Sequence, residues 1–221
     1  MASIGLICEG VSEIKMIKHI IGRYLGDVDV NTIQPEIAND KQEHQETPGG
    51  WENVLKTCAD KKLQEAFAIN DYLVIQIDTD RCCEKNYNVN VYDENHKKIS
   101  DEILYSRVVD RLKQNLVTAE LQPYFDKIIF AICINETECW FLPLYYNDNR
   151  RCATDSCIRK LNQELKKQKL GIPDEDKNCV QAQKTYREIF KKMKKKTIIQ
   201  EISQYNYGFK KFIEQLDQIT V

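Results

Sequence analysis

Hydrophobic positions along the chain change period in an orderly way, and the expected elements follow from those changes. Ile4 to Cys8 is a short apolar run that stops on Glu9-Gly10, which reads as a strand followed by a tight turn. Ile14, Ile17, Ile20, Ile21, Tyr24 and Leu25 then recur at helical spacing, with Ser12 as a partial N-cap and Gly26 as the stop. Val28 to Ile33 alternates apolar and polar and predicts a second strand. Residues 34–50 are polar, contain Pro35, Pro48 and Gly49-Gly50, and read as a long loop. Trp51 to Phe67 is expected to be helical, with Val54, Leu55, Cys58 and Leu63 facing inward.

The run Tyr72 to Asp80 is the centre of the pattern. Its apolar part is continuous rather than alternating, as in a strand buried on both faces of a parallel sheet, and it ends on Asp78 and Asp80. A polar excursion from Arg81 to Ser100 follows, in which Asn88 to Asp93 reads as a small hairpin arm. Asp101 to Thr118 has a helical stripe of Ile103, Leu104, Val108, Leu112 and Leu116, and Lys127 to Ile134 is another buried strand. Beyond an irregular stretch from Phe141, the chain becomes basic and helical over Ile158 to Lys169, breaks over Pro173 to Asp176, and closes with helices at Val180–Met193 and Gly208–Ile219. Strands alternating with helices predict an α/β fold with a mostly parallel sheet. With no repeat or low-complexity linker, residues 1–221 are expected to form one unit, an α/β core over 1–149 and a basic helical part over 150–221.

Composition adds two constraints. A hydrophobic share of 42% beside 30% charged residues suits a globular protein, and no apolar stretch reaches bilayer length, so no membrane association is expected. The nine cysteines are odd in number, and Cys8, Cys133 and Cys139 fall inside apolar runs, which predicts buried thiols in a reducing cytoplasm rather than a disulfide framework. The net charge of -2 hides a division. Residues 1–149 hold 15 Lys and Arg against 25 Asp and Glu, whereas residues 150–221 hold 17 against 9. An acidic front part fits carboxylates gathered about a cation, and a basic back part fits contact with a polyanion; lysine-rich helices are also common as plain solvated surface.

The acids lie where strands end. Glu9, then Asp78 with Asp80, then Glu136 with Glu138 follow three predicted strands, and Glu13 stands one helical turn after Glu9. An Asp-x-Asp after a strand is also an ordinary polar turn, but the acids at two other strand ends turn the reading toward a site. Crowded carboxylates need a cation, and all-oxygen donors select Mg²⁺ or Mn²⁺ ahead of Zn²⁺. Metal-assisted phosphoryl transfer is the chemistry such a set supports best.

Glu9-Gly10-Val11-Ser12-Glu13 after one strand and Asp78-Thr79-Asp80 after another resemble a Toprim domain, the catalytic module of topoisomerases, primases and overcoming-lysogenization-defect nucleases. Glu138-Cys139-Trp140-Phe141-Leu142 and the ending Tyr207-Gly208-Phe209-Lys210-Lys211-Phe212 are similar to elements of small stand-alone Toprim-like proteins of bacterial defence loci. The resemblance implies a Toprim-type, Rossmann-like sheet and a Mg²⁺/Mn²⁺-dependent nuclease acting on DNA or RNA, plausible as an anti-phage effector in the cytoplasm. It implies metal-binding roles for Glu9, Asp78 and Asp80, a second-site or orienting role for Glu13, and Glu138 as the extra acid, with Glu136 the weaker candidate. Lys184 would steady the scissile phosphate. Lys184, Arg187, Lys191, Lys192, Lys194 and Lys195 would track a nucleic-acid backbone. The chain has no Gly-x-x-x-x-Gly-Lys-Ser/Thr loop, so an ATPase or another defence-system partner would be separately encoded. Two other functions stand beside it: a binding subunit whose site is degenerate or idle until an ATPase partner docks, and a metal-dependent phosphatase for small phosphoesters, which shares the acidic rim but has no use for the basic back part.

Other residues carry less. Cys82-Cys83 with Cys152 and Cys157 fits no standard zinc spacing, and His19, His44 and His96 form no pattern. Trp140 is expected to anchor the core beneath the acidic rim rather than to stack on a base.

Overall fold

The computed structural model describes residues 1–38, 45–173 and 177–220. Four strands, β1 (Ser3–Ile7), β2 (Asp29–Gln34), β3 (Tyr72–Asp78) and β4 (Ile128–Cys133), form one all-parallel sheet in the order β2-β1-β3-β4. The fold is therefore α/β, as the alternation of strands and helices predicts. Helix α1 (Val11–Tyr24) joins β1 to β2, α2 (Trp51–Ala59) joins β2 to β3, and α3 (Asp101–Thr118) joins β3 to β4. The chain leaves β1 toward β2 and returns on its other side as β3, so the strand order reverses between β1 and β3. In open parallel sheets that reversal leaves a crevice at the carboxyl ends of the two strands, where ligands bind.

Side-chain alternation sorts the core onto two faces. Leu6, Val74 and Ala131 point to the α1 side, while Leu73, Ile75, Ile77 and Phe130 point to the α2 and α3 side. Both faces are covered, which is why the strands read as continuous apolar runs.

The basic C-terminal part packs directly against the sheet. It comprises α4 (Cys157–Leu165), α5 (Val180–Lys192), α6 (Lys196–Ser203) and α7 (Tyr207–Leu216), whose apolar residues join the α1-side core. Gln215 on α7 accepts from the Phe130 amide at 2.9 Å and donates to the Phe130 carbonyl at 3.0 Å, satisfying the free edge of β4. At Gly208 a Cβ would stand 1.9 Å from the Ile132 carbonyl oxygen, so only glycine allows α7 this close. Trp140 is fully buried and stacks on Phe209 with centroids 4.4 Å apart, a core anchor as expected.

Several expectations needed correction. The helix expected over Trp51–Phe67 stops at Ala59, because Asp60 turns its carboxylate onto the Lys62 amide and a 3-10 helix, Lys61–Ala68, takes over. Gly10, not Ser12, occupies the N-cap of α1, since the Ser12 hydroxyl donates to Glu13 instead of accepting from the backbone. The arm at Asn88–Asp93 is reduced to a single bridge between Tyr92 and Lys98. Thr137–Leu144 forms a 3-10 helix and Lys196–Ser203 forms α6, neither of which was anticipated. Cys139 and Cys157 are joined as a disulfide, where thiols were expected. Part of the loop over 34–50, including His44, and part of the break over 173–176 lie outside the described residues.

Candidate active site

The crevice between β1 and β3 is walled by the residues that end those strands. Glu9 follows β1 and is held from three directions: its amide donates to Gln76 Oε1 at 3.1 Å, its Oε1 accepts from the Asp78 amide at 2.6 Å, and its carbonyl accepts from the Gly50 amide at 2.7 Å. A Cβ on Gly49 would lie 2.2 Å from that carbonyl, which accounts for glycine there. Asp78 closes β3, and its Oδ1 accepts from Gln76 Nε2 at 2.9 Å and from Thr137 Oγ1 at 3.0 Å. The Tyr87 hydroxyl donates to the Asp78 carbonyl at 3.1 Å. Thr79 and Asp80 donate their amides to Asn135 at 2.9 Å each, tying this corner to the end of β4.

Glu13 is buried in the first turn of α1, where the helix N-terminus favours an anion, and the Ser12 hydroxyl lies 3.0 and 2.9 Å from its two oxygens. Glu9, Glu13, Asp78 and Asp80 thus line one cavity of about 420 Å³, together with Lys177 and Arg81. Asp80 stands at its exposed rim.

Burial and mutual repulsion govern the protons here. Burial, then the charges of Glu13 and Asp80, push Glu9 up to about 8 against the Asp78 amide. Burial, then Glu9 and Glu13, raise Asp78 well above the carboxylate range, and burial raises Glu13 against the pull of Lys177. At Lys177 burial disfavours the charge, but Glu138, Asp78 and Glu13 outweigh it and raise its pKa. The same charges therefore favour the ammonium form of Lys177 and the protonated forms of the acids.

The other expected site residues fall elsewhere. Glu138 is fully buried behind the cavity, with Oε2 at 2.9 Å from Lys177 Nζ and Oε1 accepting from the Tyr186 hydroxyl at 2.5 Å. Both its oxygens are engaged, so it holds Lys177 rather than facing a metal. Glu136 accepts from the Ile158 amide at 3.0 Å at the start of α4. Lys184 is exposed on α5 and does not line the acidic cavity; Lys177 and Arg81 are the cations that do. Lys191 pairs with Glu188, Lys192 lies 4.8 Å over the Tyr145 ring, and Lys194 and Lys195 are exposed between α5 and α6. Cys82, Cys83, Cys152 and Cys157 form no cluster, because Cys157 is bonded to Cys139. His19 stacks on Phe190, and His96 sits in a loop.

Among the described residues, the one group of three metal-ligand types with donor atoms within 4.8 Å of one another is Glu136, Cys139 and Cys157, whose sulfurs are bonded to each other. The cavity carboxylates are spread wider than that. Gln76, Thr137, Tyr186 and Lys177 were not anticipated as site residues. Gln76 left a signal, a lone amide inside an apolar strand, whereas Lys177 sits in a polar stretch with no period to mark it.

Compared with family models, curated proteins and solved structures, the chain gives no match in any of the three.

Proposed function

We propose that the chain is a Mg²⁺- or Mn²⁺-dependent nuclease of Toprim type that hydrolyses phosphodiester bonds of DNA or RNA. The observation that carries this reading is the cavity in which Glu9, Glu13, Asp78 and Asp80 meet Lys177 and Arg81 at the crevice between β1 and β3. Burial and mutual repulsion raise all four carboxylates toward their protonated forms, and a divalent cation would take the place of those protons. The donors are all oxygen, which suits hard cations. Glu9, Asp78 and Asp80 would hold the ion, with Glu13 orienting them or serving a second one; when bound, it would supply Lewis-acid stabilisation of charge on the phosphate.

The chain's own residues contribute positioning and a cation held in place by a buried carboxylate. Gln76, Thr137 and the Asp78 amide fix two of the carboxylates before any ligand arrives. Lys177, held by Glu138, presents an ammonium to the phosphate oxygens without having to be ordered at the moment of reaction. A role in anti-phage defence, and a separately encoded ATPase or other partner, belong to the proposal through the sequence resemblance alone.

The test is cleavage of single- and double-stranded DNA and RNA by the purified chain. Cleavage should require added Mg²⁺ or Mn²⁺ and stop with EDTA. No cleavage of any of these substrates, alone or with a co-purifying partner, overturns the reading.

A further inference from the structure

Beside the acidic cavity lies a second one of about 420 Å³ with the opposite character. Lys15 and Lys18 of α1, Lys177 of the turn before α5, and Arg187 of α5 line it, and among the described residues no carboxylate lines it. Lys18 and Arg187 make no ion pair among the described residues. Val11, Tyr186 and Phe190 supply apolar wall. Phe190 is stacked on His19 with centroids 4.9 Å apart, and His19 is itself fixed by donating to the Met193 carbonyl at 3.1 Å. Ser12, Lys177 and Asn178 line both cavities, so the two are adjoining compartments with Lys177 between them.

We propose that this basic compartment binds one nucleotide unit, its phosphate on Lys18 and Arg187 and its base against the wall of Val11, Tyr186 and Phe190. The inference rests on the nuclease reading insofar as it makes the compartment a subsite next to the bond to be cut. Its volume lies within the range of small-ligand pockets, and convergent cations on an apolar aromatic wall are what a phosphate joined to a base requires. Acids on one side of Lys177 and bases on the other give the substrate a direction: one phosphate lies at the carboxylates while the neighbouring nucleotide is gripped. The nucleotide belongs either to a strand or to a free nucleoside phosphate, and the chemistry is shared.

The experiment is fluorescence anisotropy of a 5′-labelled single-stranded DNA hexamer in EDTA, where nothing is cut. K18A/R187A should bind at least about ten-fold more weakly than the unmodified chain and lose about 0.7 from the salt slope, the contribution of the one phosphate that the pair neutralises on a single strand. K166A, at an exposed lysine outside both cavities, should bind normally. Displacement of the hexamer by a nucleoside 5′-monophosphate would support a free nucleotide as occupant, and resistance to displacement would support a nucleotide within a strand. Binding by K18A/R187A within two-fold of the unmodified chain, or no binding by either, overturns the proposal. The two readings fail separately. Hexamer binding that depends on Lys18 and Arg187 without any cleavage sustains the subsite and removes the nuclease, while cleavage by K18A/R187A at an unchanged KM does the reverse.

Discussion

Lys177 and Glu138 form an ion pair of 2.9 Å in which the carboxylate is wholly buried and the lysine alone lines the cavity. Removing the lysine leaves an uncompensated charge in the core, which in buried pairs costs about 3 kcal/mol or more. Lys177→Met should therefore destabilise the fold and abolish cleavage together. Lys177→Met combined with Glu138→Gln should recover most of the stability but none of the cleavage. Urea unfolding of the singles and the double completes a thermodynamic cycle; a double variant that cuts at the normal rate would remove Lys177 from the chemistry.

The acid cavity also sets a pH dependence. Glu9 titrates near 8 in the folded chain against an ordinary 4.5, for burial first and for repulsion from Glu13 and Asp80 second. Between those values the folded state holds a proton that the unfolded state releases, so stability falls as pH rises, by about 1.4 kcal/mol per pH unit for each such proton. Asp78 and Glu13 are shifted in the same direction. Metal-free protein should melt higher at pH 5 than at pH 8, and Mn²⁺ should stabilise more at pH 8, where the ion displaces fewer protons. Melting curves in EDTA and in Mn²⁺ at the two pH values check this. An EDTA curve that rises with pH would contradict it.

Much of the frame was legible because its signals are local. The span Asp101–Thr118 matches α3 end for end: Ser100 caps it by accepting from the Ile103 amide at 3.3 Å, and Leu104, Val108, Leu112 and Leu116 repeat every four residues. The β3 run and the acids at Glu9, Asp78 and Asp80 were legible for the same reason. What escaped depends on contacts distant in sequence. Glu138 reads as a rim acid until Lys177 and Tyr186, 39 and 48 residues away, are found on its two oxygens. The 3-10 helix Thr137–Leu144 is almost entirely apolar and contains Pro143, so it shows neither period.

The approach of α7 to β4 predicts a contrast between two glycines. Gly208→Ala drives a methyl into the Ile132 carbonyl, a backbone group that cannot rotate away, and should cost about 3 kcal/mol. Gly22→Ala adds a methyl to α1 with nothing within 4 Å and should stabilise by about 0.5–1 kcal/mol. Thermal melts of both variants decide the point. Equal effects would mean that α7 does not pack as described.

The Cys139–Cys157 bond closes a segment of 18 residues from the 3-10 helix to the start of α4. A loop of that size restrains the unfolded chain by about 3 kcal/mol. Dithiothreitol, or the pair Cys139→Ser and Cys157→Ser, should lower the urea midpoint by that equivalent, and reductant should do nothing further to the double variant. Insensitivity of the unmodified protein to reductant would mean that the pair is two thiols in solution.

The sharpest test ranks the acids by how they are held. Glu9 and Asp78 are fixed by the Asp78 amide, Gln76 and Thr137, so each presents a carboxylate whose direction is set in advance. Positioning and charge stabilisation carry most of phosphoryl transfer, so loss of either pre-aimed oxygen should cost the most. Glu9→Gln and Asp78→Asn should each abolish metal-dependent cleavage, and by relieving repulsion they should melt slightly higher than the unmodified chain in EDTA. Asp80→Asn, at the exposed rim, should reduce the rate less and shift the Mn²⁺ requirement upward. Glu136→Gln should be mildest of all, because the Glu136 carboxylate accepts from the Ile158 amide outside the cavity. Cleavage rate against Mn²⁺ concentration for the four variants, with circular dichroism to confirm folding, separates these outcomes. If Glu136→Gln matches Glu9→Gln in severity, the metal lies nearer β4 than the β1–β3 crevice. If Glu9→Gln cleaves at the normal rate, the carboxylates of this cavity are not where phosphodiester bonds are broken.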